Sequence, residues 1–129
     1  MTIVEQGNGA APQGAPPDLI KETTTQSFMK DVIEESRRQP VLVDFWAPWC
    51  GPCLMMAPEF ERAAHELEPE VRLVKVNIDE EPAAARRFGV QSIPTVLLAR
   101  HGRELGRLAG VRAAAELVRW ARARLPPPG

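Results

Sequence analysis

Residues 43–53 read Val-Asp-Phe-Trp-Ala-Pro-Trp-Cys-Gly-Pro-Cys, and they place two cysteines where an apolar run passes into a helical pattern. Cys50 falls at the predicted helix N-terminus, where backbone N–H groups and the helix dipole favour negative charge. Because the thiolate is the reactive form of cysteine, this position activates Cys50 near neutral pH. Cys53 follows one helical turn later, within disulfide reach. The spacing therefore predicts a redox-active dithiol.

Other kinds of site share the Cys-x-x-Cys spacing. A structural zinc site needs four ligands, and the two histidines of the chain, His65 and His101, lack a matching spacing. A purely structural disulfide would close a very short loop, and short loops contribute little stability. A pair of inert buried thiols stays open as an alternative. Gly51-Pro52 favours a shaped helix start, since proline fits the first turn. We interpret the pair as redox-active and expect no metal.

The composition is typical of one small globular domain. The 129 residues are enough for a hydrophobic core, and 44% apolar with 26% charged residues is ordinary. A formal net charge of −1 gives no reason to expect nucleic acid as a partner. No apolar stretch approaches the length of a membrane span. Residues 1–6 lack the basic and apolar regions of a secretion signal. Because a lone reactive dithiol suits a reducing compartment, we expect a cytoplasmic protein.

The chain alternates strand and helix patterns between two ends of low complexity. Residues 1–17 predict a disordered N-terminal tail, residues 126–129 a frayed C-terminal tail, and residues 18–125 one domain. The first predicted elements are a strand over Asp18–Glu22, a helix capped by Thr25 with Phe28, Val32 and Ile33 inward, and a strand over Val41–Trp46. Next come a helix from Cys50 that Pro58 should kink, a strand over Val71–Ile78 and a helix over Glu81–Phe88. A hairpin of Thr95–Ala99 with Glu104–Leu108 and a helix over Ala113–Leu125 complete the series.

This order predicts an α/β fold, with a central mixed sheet of about five strands and about four helices on both faces. The apolar positions also predict the buried face of each long helix. In the first they are Met55, Met56, Phe60, Ala63, Ala64 and Leu67, and in the last Ala114, Leu117, Val118, Ala121 and Leu125. We interpret Met55 and Met56 as core-filling residues rather than a metal or cofactor site.

Residues 18–125 resemble the thioredoxin family, and the resemblance implies the thioredoxin fold. It rests on Asp44-Phe45-Trp46-Ala47-Pro48-Trp49-Cys50-Gly51-Pro52-Cys53, Val76-Asn77-Ile78-Asp79 and Ser92-Ile93-Pro94-Thr95. Residues 18–53 resemble thioredoxin domains of bacterial co-chaperone-like proteins with helical repeats, and the chain from residue 57 onward resembles the thioredoxin-2 type. That type usually carries N-terminal zinc-binding cysteines, whereas Cys50 and Cys53 are the two cysteines of this sequence.

The resemblance implies a protein-disulfide reductase that works by dithiol–disulfide exchange. Cys50, the exposed and more acidic thiol, would be the nucleophile, and Cys53 would resolve the mixed disulfide. Such a protein needs no bound cofactor. Electrons would come from NADPH through thioredoxin reductase, and oxidised client proteins would be the substrates of a monomer. A holdase or co-chaperone module that binds unfolded or oxidised proteins is an alternative. An oxidase or isomerase of an oxidising compartment is a third, which the missing signal peptide disfavours.

Two charged residues near the motif are candidates for proton transfer. Asp44 interrupts the apolar run and should be buried, and burial raises the pKa of a carboxyl, which suits a proton acceptor for Cys53. Its alternative role is a strand-end acid that finds a hydrogen-bond donor. Lys75, on the neighbouring strand, resembles the family's buried lysine that pairs with this acid. Its alternative is an ordinary exposed strand lysine.

The resemblance also implies a substrate-binding rim around Cys50. The Ile93–Pro94 bond would be cis and face the dithiol, which leaves the Ile93 backbone free to pair with an extended substrate. The rim comprises Trp49, Gly51, Pro52, Ile93, Pro94, Gly110 and Val111. We interpret Trp46 as a packing residue beneath it. Leu54 stands where the family commonly has a basic residue, so we expect it to affect substrate preference rather than activity.

Overall fold

The computed structural model describes residues 20–22, 27 and 29–125. The predicted tails, 1–17 and 126–129, lie outside the described residues, as do Asp18, Thr25 and Phe28. The strands are β1 (Ile20–Glu22), β2 (Val41–Trp46), β3 (Arg72–Asn77), β4 (Thr95–Arg100) and β5 (Arg103–Ala109). The α-helices are α1 (Gly51–Leu67), α2 (Pro82–Arg87) and α3 (Ala114–Arg124). Between β1 and β2, Met29–Glu34 is π-helical and Glu35–Arg37 is a 3₁₀ turn. The order of elements is the predicted one.

In the described part of the chain the strands form one mixed sheet in the order β1-β3-β2-β4-β5. β1 and β2 both run parallel to β3, whereas β4 runs antiparallel to β2 and to β5. The predicted hairpin joins β4 to β5. Its turn residues, His101 and Gly102, both have positive φ angles of 53° and 75°. Such a turn matches the twist of paired strands, and glycine adopts it without steric cost.

Both faces of the central strands β2, β3 and β4 are buried, as the continuous apolar run of β2 predicted, whereas the edge strand β5 is largely exposed. Leu42 faces α1 and α3, whereas its neighbours Val41 and Val43 face α2 and residues 29–37. The first core contains Leu42, Leu73, Val96, Leu98, Met56, Phe60, Leu67 and Leu117. The second contains Val41, Val43, Phe45, Val74, Val76, Leu97, Val32, Ile33 and Ala84. Residues of a strand therefore alternate between two helical layers.

The inward face of α1 differs from the prediction at one residue. The buried positions are Cys53, Met56, Phe60, Ala63, Ala64 and Leu67, spaced three or four apart along most of the helix. Met55 lies two residues after Cys53, which turns it by about 200° to the opposite side of the helix. It is 67% exposed, so its assignment to the core was wrong. The helix continues through Pro58, an exposed position. No helix in the described residues has the length and apolarity needed to cross a membrane.

Ser36 ties residues 29–37 to the hairpin. Its buried Oγ donates to the Ile33 carbonyl at 2.7 Å and accepts from the Gly102 N–H at 2.9 Å. Its carbonyl oxygen accepts from the His101 N–H at 2.6 Å. The turn of the hairpin is thereby hydrogen-bonded to a buried side chain, which fixes the far end of β4. No pattern in the sequence marked Ser36 as important.

Candidate active site

The dithiol lies where β2 passes into α1. Cys50 has an extended backbone and occupies the N-cap position of α1, so the helix begins one residue later than predicted. Its N–H donates to the Ala47 carbonyl at 3.2 Å, which closes the turn between strand and helix. Its Sγ accepts from the Cys53 N–H at 3.2 Å. Cys50 Sγ is therefore the N-cap acceptor of α1, at the helix end that favours negative charge.

Cys50 and Cys53 form a disulfide, with their Cα atoms 5.2 Å apart. The structure therefore shows the oxidised state of the site. The two residues are 5% and 3% exposed, so in this state exposure does not distinguish them as the sequence led us to expect. Position does distinguish them, because Cys50 caps the helix and Cys53 lies inside its first turn. Within the described residues, no group of three His, Cys, Asp or Glu side chains could hold a metal ion.

Asp44 and Lys75, the two candidates for proton transfer, lie side by side in the sheet. They are register partners on β2 and β3, and their alternation with Leu42 and Leu73 puts both on the face covered by α1. Asp44 is buried, as predicted. Lys75 is half-buried, and its Nζ lies 4.3 Å from the centroid of the Trp46 ring. Along β2, Asp44 therefore lies between Leu42, which belongs to the first core, and Trp46, which packs against the cysteines.

Trp46 packs directly against the site, as the sequence indicated. It is half-buried, and it contacts a small cluster formed by Ala47, Cys50 and Cys53. Ile93 packs against the same cluster. The disulfide is therefore packed against apolar side chains.

The exposed indole of Trp49 is held beside the disulfide by a residue that we did not assign to the site. Trp49 is 68% exposed, and its Nε1 donates to Asp79 Oδ2 at 2.7 Å. The Asp79 N–H in turn donates to Asn77 Oδ1 at 2.9 Å. The segment Val76-Asn77-Ile78-Asp79 served only as a marker of resemblance. Asp79 is 30 residues from Trp49 in sequence, and no local pattern could pair them.

A second loop faces the disulfide. The Ile93–Pro94 peptide bond is cis, which confirms the expectation, and a second cis bond at Glu68–Pro69 was not predicted. The Ile93 carbonyl oxygen lies 3.9 Å from Cys50 Sγ. The Pro94 carbonyl accepts from the Gly110 N–H at 2.9 Å, which brings the Gly110-Val111 segment to the same place. Three segments distant in sequence therefore meet at Cys50.

The surface around this meeting point is apolar. Gly51 and Pro52 are exposed at the start of α1, and Leu54, Met55 and Val111 are large exposed apolar side chains. The sequence from residue 47 to residue 58 contains no charged residue. Exposed apolar patches of this kind mark sites where proteins bind one another. Met55, the neighbour of Leu54 in the sequence, therefore adds to this exposed apolar surface.

A Cys-x-x-Cys disulfide at a helix N-terminus, surrounded by exposed apolar side chains, is the site of a thiol–disulfide oxidoreductase. The family model for thioredoxin matches residues 19–123, and the chain belongs to the thioredoxin family. Its function in that family is dithiol–disulfide exchange through Cys50 and Cys53. The redox-active group is the disulfide itself.

Three relatives illustrate the range of the similarity. A thioredoxin of Rickettsia felis is 39% identical over 102 residues, which cover 79% of this chain and 95% of that protein. Thioredoxin 1 of Synechococcus elongatus is 45% identical over 87 residues, 67% of this chain and 79% of that protein. A bifunctional thioredoxin reductase/thioredoxin of Mycobacterium leprae is 45% identical over 98 residues, 76% of this chain and 21% of that protein.

Proposed function

We propose that this protein is a cytoplasmic, monomeric reductase of protein disulfides that receives its electrons from NADPH through a thioredoxin reductase. The observation that carries the proposal is the Cys50–Cys53 disulfide at the start of α1, surrounded by exposed apolar side chains. The electron source is supported by the Mycobacterium leprae relative, whose name joins a thioredoxin reductase to a thioredoxin in one chain.

In the proposed reaction, two electrons pass from the dithiol to the substrate. The Cys50 thiolate attacks one sulfur of the substrate disulfide, forms a mixed disulfide and releases the other substrate sulfur as a thiolate. Cys53, once deprotonated, attacks Cys50 Sγ and releases the second substrate thiolate. The product is the Cys50–Cys53 disulfide seen in the structure, and the reductase returns it to the dithiol.

Asp44 has the role of proton acceptor in the second step. It is buried, on the face of the sheet that α1 covers. In this proposal Asp44 accepts the proton that Cys53 loses, because burial disfavours the charged form of a carboxyl. Lys75, its register partner on β3, is the proposed charged partner of Asp44.

The substrate in this proposal is an extended polypeptide that lies across the rim. The Ile93 carbonyl is close to Cys50 Sγ, so a strand that pairs with the Ile93 backbone carries its disulfide next to the nucleophile. The apolar side chains of Trp49 and Val111 bind the flanking residues with little demand on sequence. Such contacts suit a reductase with several client proteins.

The test is turnover of a protein disulfide by the full chain. With NADPH, thioredoxin reductase and insulin as substrate, we expect continuous NADPH oxidation, and none with Cys50→Ser. A holdase would suppress aggregation of an unfolded protein without any NADPH oxidation, and that result would contradict the proposal. A reduction potential close to that of strong oxidants, measured against a glutathione couple, would favour an oxidase or isomerase instead.

A further inference from the structure

The loop between β5 and α3, residues 110–113, carries the rim residues Gly110 and Val111 and is tied to other elements at both ends. At its start, the Gly110 N–H donates to the Pro94 carbonyl at 2.9 Å. In its middle, the Arg112 N–H donates to Met56 Sδ at 3.4 Å. Directly after it, the Ala114 N–H donates to Glu59 Oε1 at 2.8 Å. Two of these three acceptors, on Met56 and Glu59, belong to α1, the helix that begins at the dithiol.

Glu59 supplies α3 with an acceptor that its own sequence lacks. The N-cap residue of α3 is Ala113, which has no side-chain acceptor, and an uncapped helix start leaves backbone N–H groups unsatisfied. The Ala114 amide, and next the Arg62 side chain, lower the pKa of Glu59, so it is ionised at neutral pH. An ionised acceptor at a helix N-terminus forms a strong, charge-assisted hydrogen bond.

This contact relates the rim to the dithiol through one continuous helix. Glu59 lies nine residues after Cys50, about 13 Å along the axis of α1 at 1.5 Å per residue. Because Glu59 and Cys50 move together with the helix, the bond to Ala114 sets where Val111 stands relative to the nucleophile. A loop of four residues, held at both ends, has little freedom to shift.

We propose that Glu59 is a positioning residue for protein substrates, acting through Ala114 to hold the loop of Gly110 and Val111 at the rim. The inference rests on the proposed function, since only a substrate large enough to cover the rim contacts this loop. A small-molecule disulfide contacts the sulfur atoms alone and is insensitive to it.

The experiment compares insulin with hydroxyethyl disulfide as substrates, each reduced by the full chain with NADPH and thioredoxin reductase. Glu59→Ala removes the acceptor, and we expect the KM for insulin to rise about fivefold, the size of a lost helix cap. The kcat for insulin and the rate with hydroxyethyl disulfide should stay unchanged. Glu59→Gln keeps an oxygen acceptor at the same distance and should retain the wild-type KM.

Two further variants test whether the length of the side chain at position 59 matters and whether the effect is specific to that position. Glu59→Asp keeps the charge but is one methylene shorter, so it should raise the KM for insulin as Glu59→Ala does. Glu61→Ala, on the same helix, is the matched control and should leave every parameter unchanged. Thermal unfolding of each variant shows whether it is folded, and Glu59→Asp keeps the test available if Glu59→Ala is not.

Several results would overturn the inference. If the wild type is active but Glu59→Ala and Glu59→Asp keep the wild-type KM for insulin, the positioning role of Glu59 is wrong and the proposed function is unaffected. Equal losses with insulin and hydroxyethyl disulfide would place the effect at the dithiol instead of the rim. A Glu59→Gln variant as impaired as Glu59→Ala would show that charge, not the hydrogen bond, is responsible. A wild-type chain that reduces neither substrate overturns the proposed function, and the inference with it.

Discussion

The helices α1 and α3 both begin close to the rim. The first turn of α1 is capped by a nearby residue, whereas that of α3 is capped by a distant one. α1 is capped locally, because Cys50 Sγ accepts the N–H of Cys53 three residues away. α3 is capped remotely, because Glu59 accepts the N–H of Ala114 from 55 positions away in the chain. The local cap is also the reactive atom, whereas the remote cap does no chemistry. Capping a helix N-terminus is therefore done by a reactive group in α1 and by a non-reactive group in α3.

The largest expected effect separates capping from chemistry at Cys50. Cys50→Ser keeps a hydroxyl that caps α1 well but lacks the nucleophile, so reductase activity should fall below detection. Under reducing conditions, Cys50→Ala should be less stable than Cys50→Ser by about 1 kcal/mol, since alanine cannot cap. Denaturant unfolding of the two reduced variants measures the difference. Equal stabilities would show that a side-chain acceptor at position 50 does not stabilise α1.

The matched variant at the other cysteine tests the order of the two steps. Cys53→Ser retains Cys50 and should accumulate mixed disulfides with protein substrates, because nothing resolves them. Non-reducing electrophoresis after incubation with insulin detects these adducts. If alkylation of the reduced wild type at mildly acidic pH labelled Cys53 before Cys50, the assignment of roles would be wrong.

A smaller effect is expected from a substitution of Asp44, the buried acid on β2. Asp44→Asn removes the proposed proton acceptor of Cys53 without altering Cys50. Resolution of the mixed disulfide should slow on the order of a hundredfold, the lower end of what a general base contributes. Rapid-quench trapping of the adduct measures this rate, and alkylation of Cys50 should be changed much less. An unchanged resolution rate would remove Asp44 from the mechanism.

Adding a local cap to α3 sharpens the comparison further. Ala113 has the extended backbone of an N-cap residue, so Ala113→Ser should stabilise the protein by about 0.5–1 kcal/mol. A serine N-cap accepts from the second or third helical N–H rather than from Ala114. In the Glu59→Ala background it should therefore restore unfolding free energy but not the KM for insulin. Recovery of both would mean that Glu59 acts only through helix stability.

The smallest effect is a difference in pH dependence between the two caps. The Ala114 amide lowers the pKa of Glu59, so this carboxylate stabilises the fold fully above its unfolded-state pKa, and that contribution is lost as the pH falls through the lower folded-state pKa. The disulfide that caps α1 does not titrate. Glu59→Gln should flatten part of the acid-induced loss of stability in the oxidised protein, as followed by unfolding at several pH values.

The control for that measurement is Glu61→Gln, which removes a carboxylate from the same helix without removing the hydrogen bond to Ala114. The pKa of Glu104 is lowered as well, chiefly by its hydrogen bond to Arg107, so the flattening should be partial. A complete loss of the pH dependence in Glu59→Gln would contradict this division.

Local pattern was sufficient for the order of elements, the buried strand Val41–Trp46 and the chemistry of Cys50 and Cys53. These features depend on neighbours within one or two turns of the chain, so periodicity and spacing carry them. The burial of Asp44 followed in the same way, from its place inside an apolar run. The cis bond before Pro94 and the rim came from family resemblance, since neither has a local signature.

Only the tertiary structure decided the contacts that span many residues. Asp79 holds Trp49, Ser36 holds the hairpin turn and Glu59 caps α3, and each pair is at least 30 residues apart. An acid on a helix surface has the same local sequence whether it faces solvent or another helix. Met55 was misassigned for a related reason, because adjacent apolar residues leave the facing direction of a helix ambiguous. The sequence by itself determined which atoms react, and the packing of α1 against α3 decided which atoms hold them in place.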